Sequence, residues 1–194
     1  MSWKTEAIHC TSNPLHLYNR GVDGMTIFRS DADYVICVEL IAENLPKYEV
    51  ELLGYSLMPN HYHVSAIQQK ACEVSLLMHD VWWKYARIFN KKYDRYGPLF
   101  AGRFHPKIVE NDAGLLRLSH YIHLNPVSAG LASDPSQWPH SSYQDYLAPR
   151  IGSLVNPEPI LELVGGREQY LRFLAEYNPN DPFSINAYLA NRAH

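Results

Sequence analysis

Apolar and polar positions along the chain follow two different periods, which predict both strands and helices. Residues 14–18, 50–57 and 61–67 have the alternating or β-rich composition of strands. The turn residues at 59–60 are typical of a hairpin that joins the second strand to the third. Residues 99–109 can supply a fourth strand.

Two helical segments are interleaved with these strands. The first follows the capping-box pair Ser30 and Asp33 and extends to Pro46. Its apolar positions are Val35, Val38, Ala42 and Leu45. The second runs over residues 74–94 and ends before Gly97. Its buried side is predicted to carry Leu77, Val81, Tyr85 and Ile88.

The resulting order is strand, helix, strand, strand, helix, strand, which is the split βαβ or ferredoxin-like pattern. We therefore predict an α+β fold, an antiparallel sheet with helices on one face. A third helix over residues 111–125 is expected to end before Pro126, because the residue before proline disfavours the α region. Arg117, Tyr121 and Asn125 are four residues apart and share the flank of its apolar stripe.

The last part of the chain has a different pattern. Residues 160–164 predict a short helix that ends at Gly165, and residues 167–177 predict another that ends in the proline-rich segment 178–182. We therefore predict one main domain over residues 1–147 and a carboxy-terminal helical appendage over residues 148–194. The pattern leaves open whether this appendage packs on the core or helps to grip a ligand.

Composition excludes several classes of protein. With 194 residues and 46% hydrophobic residues, the chain can bury a core, and no apolar run is long enough for a membrane helix. The amino terminus lacks the pattern of a signal peptide. The three cysteines are widely spaced, which argues against a disulfide framework or a thiolate metal site. We expect a cytoplasmic protein with reduced cysteines and no membrane partner.

The triplet at residues 61–63 carries the first candidate chemistry. Residues two apart on a strand project to the same face, so His61 and His63 are offered side by side. Imidazole is a common metal ligand at neutral pH, and a pair can hold an ion while leaving positions open for a substrate. The alternative is a strand with two half-exposed structural histidines.

Charge is unevenly distributed along the chain. The net charge is −3, yet seven basic residues lie between Lys84 and Lys107 against the single acidic residue Asp94. Aromatic residues are interleaved with them, a mixture that favours single-stranded nucleic acid. The alternative is that the aromatic residues belong to the core and the basic residues to a solvated helix face.

Four segments resemble, in their order, the signatures of the small single-tyrosine transposases, which belong to the HUH endonucleases. They are HLYNRG at residues 16–21, LMPNHYH at 57–63, GPLFAGRF at 97–104 and YIHLNPV at 121–127. Within that group, NPVSAGL at 125–131 and WPHSSY at 138–143 most resemble the REP-associated tyrosine transposases. The resemblance covers about residues 10–147. Two departures are the acidic net charge and Tyr62 in the middle of the histidine triplet.

The resemblance implies a single-stranded DNA endonuclease and strand transferase that acts on hairpin-forming DNA. It implies that Tyr121 attacks a phosphodiester to form a 5′-phosphotyrosine link, while His61 and His63 bind a divalent cation, Mg²⁺ or Mn²⁺. Related enzymes use an amide oxygen about one turn after the tyrosine as a third ligand, and Asn125 stands there. The alternative role of Asn125 is a helix C-cap before proline.

From charge and position we expect a set of basic residues to contact DNA. The set is Arg20, Lys84, Arg87, Lys91, Arg103 and Lys107. His120 and His123, three apart on the third helix, are a less favoured ligand pair because they lie away from Tyr121 around the helix. REP-type relatives favour a monomer with the tyrosine helix in cis, whereas other relatives form dimers that exchange it.

Two other classes of function stay open on the sequence alone. One is a non-catalytic ferredoxin-like module that binds single-stranded nucleic acid. The other is an unrelated metal hydrolase that uses the histidine pair.

Overall fold

A four-stranded antiparallel sheet is the centre of the part of the chain that the computed structural model describes, residues 9–11 and 13–176. Its strands are β1 (Leu15–Arg20), β2 (Val50–Met58), β3 (His61–Gln68) and β4 (His105–Ile108). They lie in the order β2-β3-β1-β4, and every neighbouring pair is antiparallel. The predicted ferredoxin-like topology is therefore confirmed.

Helices cover both faces of this sheet. The helix α1 (Asp31–Asn44) and the helix α2 (Glu73–Lys92) pack together on one face, and α3 (Asp112–Ser128) lies against β2 and β3 on the other. The later helices are α4 (Tyr143–Leu147), α5 (Glu158–Val164) and α6 (Arg167–Ala175). Single 3₁₀ turns occupy Val22–Gly24, Leu45–Lys47 and Pro135–Gln137. No helix within residues 9–11 and 13–176 combines the length and the apolar character needed to cross a membrane.

Strand alternation gives the two faces of the sheet different chemistry. Leu17 and Val64 are cross-strand partners that enter the apolar core beneath α1 and α2. Tyr18 and His63 are partners one position along, so they point to the opposite face. His16 and Tyr18 of β1 and His61 and His63 of β3 therefore emerge on the side where α3 lies.

The helix α1 forms with its predicted capping box, but of its four predicted apolar positions only Val38 and Leu45 pack against the core. Tyr34, Cys37 and Ile41 are buried, whereas Val35 is 53% exposed and Ala42 is exposed. Apolar residues occur around much of this helix, so the apolar spacing alone does not select the face that meets the sheet. Tyr34 stacks on Phe28 and lies on the side of the helix that packs against the core.

The helix α2 also departs from its predicted stripe at one position. Leu77, Val81 and Tyr85 are buried as predicted, but Ile88 is 39% exposed and Phe89 is buried instead. The buried side of the helix is set by large aromatic residues that reach the sheet. Among them, Trp82 stacks on Tyr62 with 3.9 Å between ring centroids.

The outer edge of β2 is covered by the segment that follows α3. The backbone N–H of Leu57 donates to the carbonyl of His140, and the N–H of Ser142 donates to that of Tyr55, both at 2.9 Å. These bonds satisfy backbone groups that an open edge would present to other chains. At Leu53 the register of β2 shifts, and its side chain enters the core beneath α3 while that of Leu52 stays in the core beneath α1 and α2.

The helix α3 continues past Pro126, contrary to the prediction that it ends before that residue. It ends at Ser128, and its last carbonyls accept from backbone N–H groups of Ala129, Gly130 and Leu131. Pro126 lacks a backbone N–H, so the helix loses one hydrogen bond at this position. The turn after Ser128 supplies the donors for the last carbonyls of the helix. Asn125 therefore lies inside the helix, and the predicted alternative that it is the C-cap is wrong.

The predicted helices of the appendage are present as α5 and α6, and α5 ends at Gly165 in the left-handed conformation as expected. Ile160 and Leu174 share one buried apolar cluster with Leu118 and Ile122 of α3. The helix α6 ends at Ala175, and the predicted helix end at residues 177–182 falls outside the described residues. The domain boundary at residue 147 stays a prediction.

Candidate active site

Four polar side chains from β3 and α3 meet on the face of the sheet that α3 covers. The Tyr121 hydroxyl lies 3.0 Å from Nε2 of His63. One turn further along α3, Oδ1 of Asn125 lies 3.3 Å from Nε2 of His61. The two histidines share a face because they are two residues apart on a strand, and Tyr121 and Asn125 share a face because they are four apart on a helix. A single chain supplies all four.

The proton on His61 can be assigned from its neighbours. Its Nδ1 lies 2.7 Å from Oδ1 of Asn60, whose amide nitrogen donates to the carbonyl of Gly24. The Nδ1 of His61 is therefore the donor, and its Nε2 keeps a lone pair. That lone pair faces the side-chain amide of Asn125, whose Oδ1 lies 3.3 Å away.

The donor set fits a divalent cation. His61 and His63 offer neutral imidazole nitrogens, and Asn125 offers an amide oxygen. Within the described residues no group of three His, Cys, Asp or Glu side chains could hold a metal ion, and the side chain beside this histidine pair is the amide of Asn125. An amide oxygen with imidazoles suits Mg²⁺ or Mn²⁺ and leaves coordination positions for water and phosphate.

Burial controls the protonation of these groups. It lowers the pKa of His61, an effect that the Asn125 oxygen partly opposes, and it lowers the pKa of His63 well below its ordinary value, with His16 and His61 adding to the shift. Both imidazoles are therefore neutral near pH 7 and available as ligands. Burial also raises the pKa of Tyr121 to about 12, so its phenol stays protonated there.

A cleft of about 590 Å³ opens beside Tyr121. Tyr18 and His105 lie on its wall with their rings stacked, 5.1 Å between centroids. Asn60 and Arg20 also line it. Sequence reasoning did not single out Tyr18, Asn60 or His105. The alternation of residues 16, 18 and 20 puts them on one face of β1, but only the register of β1 with β3 places that face beside the histidine pair.

Three of the predicted DNA-contact residues lie at or near this cleft. Arg20 lines it and is exposed. Lys107 is the cross-strand partner of His16, and its charge contributes to lowering the pKa of that histidine. Arg103 is exposed and precedes β4 by two residues.

The other three predicted contacts lie elsewhere, on the opposite side of the sheet. Lys84, Arg87 and Lys91 line a groove of about 520 Å³ along α2. The Arg87 guanidinium stacks over the half-exposed ring of Trp83 at 4.7 Å, and Lys84 pairs with Glu43 at 3.0 Å. The structure does not bring this groove together with Tyr121.

The second histidine pair of α3 does not face the cleft. His123 is fully buried, with Nδ1 2.6 Å from the Tyr170 hydroxyl and Nε2 2.9 Å from the Ser142 hydroxyl. His120 is buried against the ring of Phe173 on α6. Both histidines connect α3 to the later helices, as expected from their position away from Tyr121.

A solved structure of a REP-associated tyrosine transposase bound to a REP hairpin is similar to this chain. The TM-score is 0.59 at 15% sequence identity, and the similarity covers 76% of this chain and 90% of the other. At this identity the likeness establishes the fold alone. No curated protein gives a significant match to the sequence.

The family described as IS200-like transposase matches residues 24–125. That range contains His61, His63, Tyr121 and Asn125. The match agrees with the family expected from the four sequence signatures. Because it spans more than half of the chain, this protein belongs to the IS200-like transposase family.

Proposed function

We propose that this transposase cuts and rejoins single-stranded DNA beside a hairpin, through a covalent 5′-phosphotyrosine bond on Tyr121. The observation that carries the proposal is the contact of the Tyr121 hydroxyl with Nε2 of His63 at 3.0 Å, with His61 and Asn125 beside it. The proposed nucleophile, the proposed metal donors and a cleft are adjacent in one chain, which supports this function. A module that only binds nucleic acid has no need of this arrangement.

The proposed reaction exchanges one phosphodiester for another. The phenol oxygen of Tyr121 attacks the phosphorus and loses its proton to solvent in the cleft, while the bond from phosphorus to the 3′-oxygen breaks. The departing 3′-oxygen takes up a proton and becomes a free hydroxyl. Because the tyrosyl ester keeps the bond energy, a 3′-hydroxyl can reverse the step and rejoin a strand without an external energy source.

The environment of Tyr121 supports a role for a bound cation here. With a pKa of about 12 the phenol is a weak nucleophile at neutral pH. A divalent cation held by His61, His63 and Asn125, Mg²⁺ or Mn²⁺, would supply Lewis-acid stabilisation of the negative charge on the phosphate and the phenol oxygen. The neutral imidazoles of His61 and His63 and the amide of Asn125 would provide the donor atoms for this cation.

The cleft walls are proposed to hold the strand on either side of the cleaved bond. Arg20, Arg103 and Lys107 would contact phosphates, which fixes the position of the strand. The stacked rings of Tyr18 and His105 offer an aromatic surface for an unstacked base. The hairpin part of the proposal is supported by the similar solved structure, a tyrosine transposase bound to a REP hairpin.

The groove along α2 is proposed as a more distant contact with the same DNA. Lys84, Arg87 and Lys91 line it together with Trp83, which combines positive charge with an aromatic ring. It lies across the sheet from Tyr121, so these residues would contribute to affinity and not to the reaction. A folded substrate is large enough to reach both surfaces, whereas a short single strand in the cleft is not.

One chain is proposed to be sufficient for catalysis. The helix α3 brings Tyr121 to His63 of the same chain, so the site is complete without an exchanged helix. This supports a working monomer.

The proposed nucleophile can be tested by trapping its DNA adduct. The probe is a pool of hairpin oligonucleotides with one fixed stem and randomised single-stranded flanks, labelled at the 3′ end and incubated with the full chain and Mn²⁺. We expect a labelled adduct that survives denaturation, since the protein retains the 5′-phosphate of the downstream fragment. The same pool labelled at the 5′ end should instead yield a free fragment.

Two variants and a chelator give the controls. Tyr121→Phe or added EDTA should abolish the adduct. Tyr96→Phe should retain it, because Tyr96 is 87% exposed and does not line the cleft. Binding without any adduct would support the non-catalytic module, and cleavage that survives Tyr121→Phe would support a hydrolase. Transfer of the adduct to an added 3′-hydroxyl strand would separate a transferase from a nuclease.

A further inference from the structure

A buried histidine of β1 lies behind the active site and contacts it directly. His16 is 1% exposed, and its Nε2 lies 2.9 Å from Nδ1 of His63. The opposite nitrogen of His63 faces the Tyr121 hydroxyl at 3.0 Å. The three side chains therefore form one line of contacts, from His16 through His63 to Tyr121.

These contacts between His16, His63 and Tyr121 allow only a few placements of the protons on the two imidazole rings. A short contact between two imidazole nitrogens needs one hydrogen between them, supplied by one ring and accepted by the other. If Nδ1 of His63 supplies it, Nε2 of His63 keeps its lone pair for a ligand or for the Tyr121 hydroxyl. If Nε2 of His16 supplies it, neutral His63 carries its proton on Nε2, and that nitrogen can no longer act as a ligand.

His16 has no evident structural reason to be a histidine. Its Nδ1 is buried, and no hydrogen-bond partner for it occurs within the described residues. A buried polar atom without a partner costs free energy, whereas an apolar side chain at this position would avoid that cost. The feature that an apolar side chain could not reproduce is the acceptor presented to Nδ1 of His63.

We infer that His16 is a positioning residue that fixes the tautomer and the ring orientation of His63. In this arrangement Nδ1–H of His63 donates to Nε2 of His16, and the Nε2 lone pair of His63 points to Tyr121 and to the cation position. The inference rests on the proposed function, because it assigns His63 as a ligand. Partners of this kind behind a ligating histidine set its tautomer and contribute to metal affinity.

Three variants separate the hydrogen bond from the shape of the side chain. His16→Leu removes the acceptor, whereas His16→Gln can present an oxygen near the position of the lost Nε2. Ser65→Ala is the matched control, because Ser65 is the buried cross-strand partner of His16 and its hydroxyl also lacks a partner among the described residues. Thermal unfolding of each variant reports whether it is folded.

Two readouts are used besides activity. Mn²⁺ affinity is measured by the loss of the free-ion electron paramagnetic resonance signal on titration with the full-length protein. The tautomer of His63 is read from ¹⁵N–¹H correlations of the imidazole ring, without metal and with Mg²⁺. We expect His16→Leu to weaken Mn²⁺ binding about 10- to 100-fold and to yield mixed tautomers. His16→Gln should recover most of the affinity, and Ser65→Ala should match the wild type.

Several results would overturn the inference. One is Mn²⁺ binding by His16→Leu that equals the wild type. Another is Mn²⁺ binding by His16→Gln that is as weak as that of His16→Leu, which would indicate that only the shape of the histidine side chain matters. If His16→Leu does not fold, the wild type still decides, because a proton on Nε2 of His63 contradicts the proposal. Failure of the proposed function is distinguishable, since it appears as a missing Tyr121 adduct and leaves the tautomer measurement intact.

Discussion

The Tyr121 hydroxyl lies 3.0 Å from Nε2 of His63, although the two residues are 58 positions apart in the chain. The contact exists because α3 crosses the sheet over β2 and β3, on the face to which the histidines of β3 point. It joins the two sequence signatures that carry the chemistry, and it does so within one chain.

The first prediction concerns whether the site is shared between two chains. A mixture of Tyr121→Phe and His63→Ala proteins should form no DNA adduct, because neither chain contains both the nucleophile and the ligand. An exchanged helix would instead combine the intact Tyr121 of one chain with the intact His63 of the other. Adduct yield in the mixture, compared with each variant alone, distinguishes the two, and restored yield would refute the single-chain site.

The second prediction concerns the amide donor on α3. Asn125→Ala should weaken Mn²⁺ binding on the order of tenfold because an oxygen ligand is lost, whereas Asn125→Asp should strengthen it because a carboxylate adds charge. Calorimetric titration with Mn²⁺ measures both, and thermal unfolding checks that both variants are folded. Wild-type affinity in both variants would mean that Asn125 is not a ligand.

The third prediction separates the two basic surfaces. Arg20→Gln and Lys91→Gln should each weaken hairpin binding. Each should also reduce the slope of log K against log salt concentration by about one, because one phosphate contact is lost. Arg20→Gln should also lower the rate of adduct formation at saturating DNA, because Arg20 lines the cleft, whereas Lys91→Gln should not. Binding by Lys91→Gln that equals the wild type at every salt concentration would remove the groove along α2 from the DNA interface.

The fourth prediction concerns stability and its pH dependence. Burial raises the pKa of Asp33, but hydrogen bonds outweigh it and lower the pKa overall. The donors are the Lys92 ammonium at 2.7 Å, the Tyr93 hydroxyl at 2.8 Å and the backbone N–H groups of Arg29 and Ser30. Asp33→Asn should therefore lower the free energy of unfolding by about 3 kcal/mol at pH 7.

The sign of the pH effect follows from the lowered pKa. The carboxylate contributes its full stability above the pKa of the unfolded chain, near 3.9, and loses it as the pH falls through the folded-state pKa. The difference between wild type and Asp33→Asn should therefore shrink below about pH 4. Asp31→Asn is the control, since the Asp31 side chain is 95% exposed and should change stability by under about 0.5 kcal/mol. A constant difference down to pH 2 would be inconsistent with this role.

The fold was accessible from the sequence because its local signals agree with one another. The hairpin turn, the capping box and the order of strands and helices all lead to the same topology, and the histidine triplet lies on a strand as its alternation requires. The buried faces of the helices were harder to predict from the sequence. Val35 and Ile88 are apolar but exposed, since the packing partner decides which of two neighbouring apolar stripes is buried.

The active site could be predicted only in part from the sequence, for a related reason. Spacing alone could not select Tyr121 among fourteen tyrosines, and the family signature was needed to do so. Tyr18, His105 and His16 depend on the register between β1, β3 and β4, which sequence alone did not determine. The end of α3 also escaped prediction, because the turn after Pro126 supplies capping bonds that local rules for proline do not anticipate.

The phenol of Tyr121 is proposed to be the group that becomes bonded to DNA. The most direct test is peptide mapping by mass spectrometry of the trapped adduct after nuclease and protease digestion. We expect a nucleotide attached through its 5′-phosphate to the peptide that contains Tyr121, at that side chain. Attachment to any other residue, or attachment through a 3′-phosphate, would contradict it.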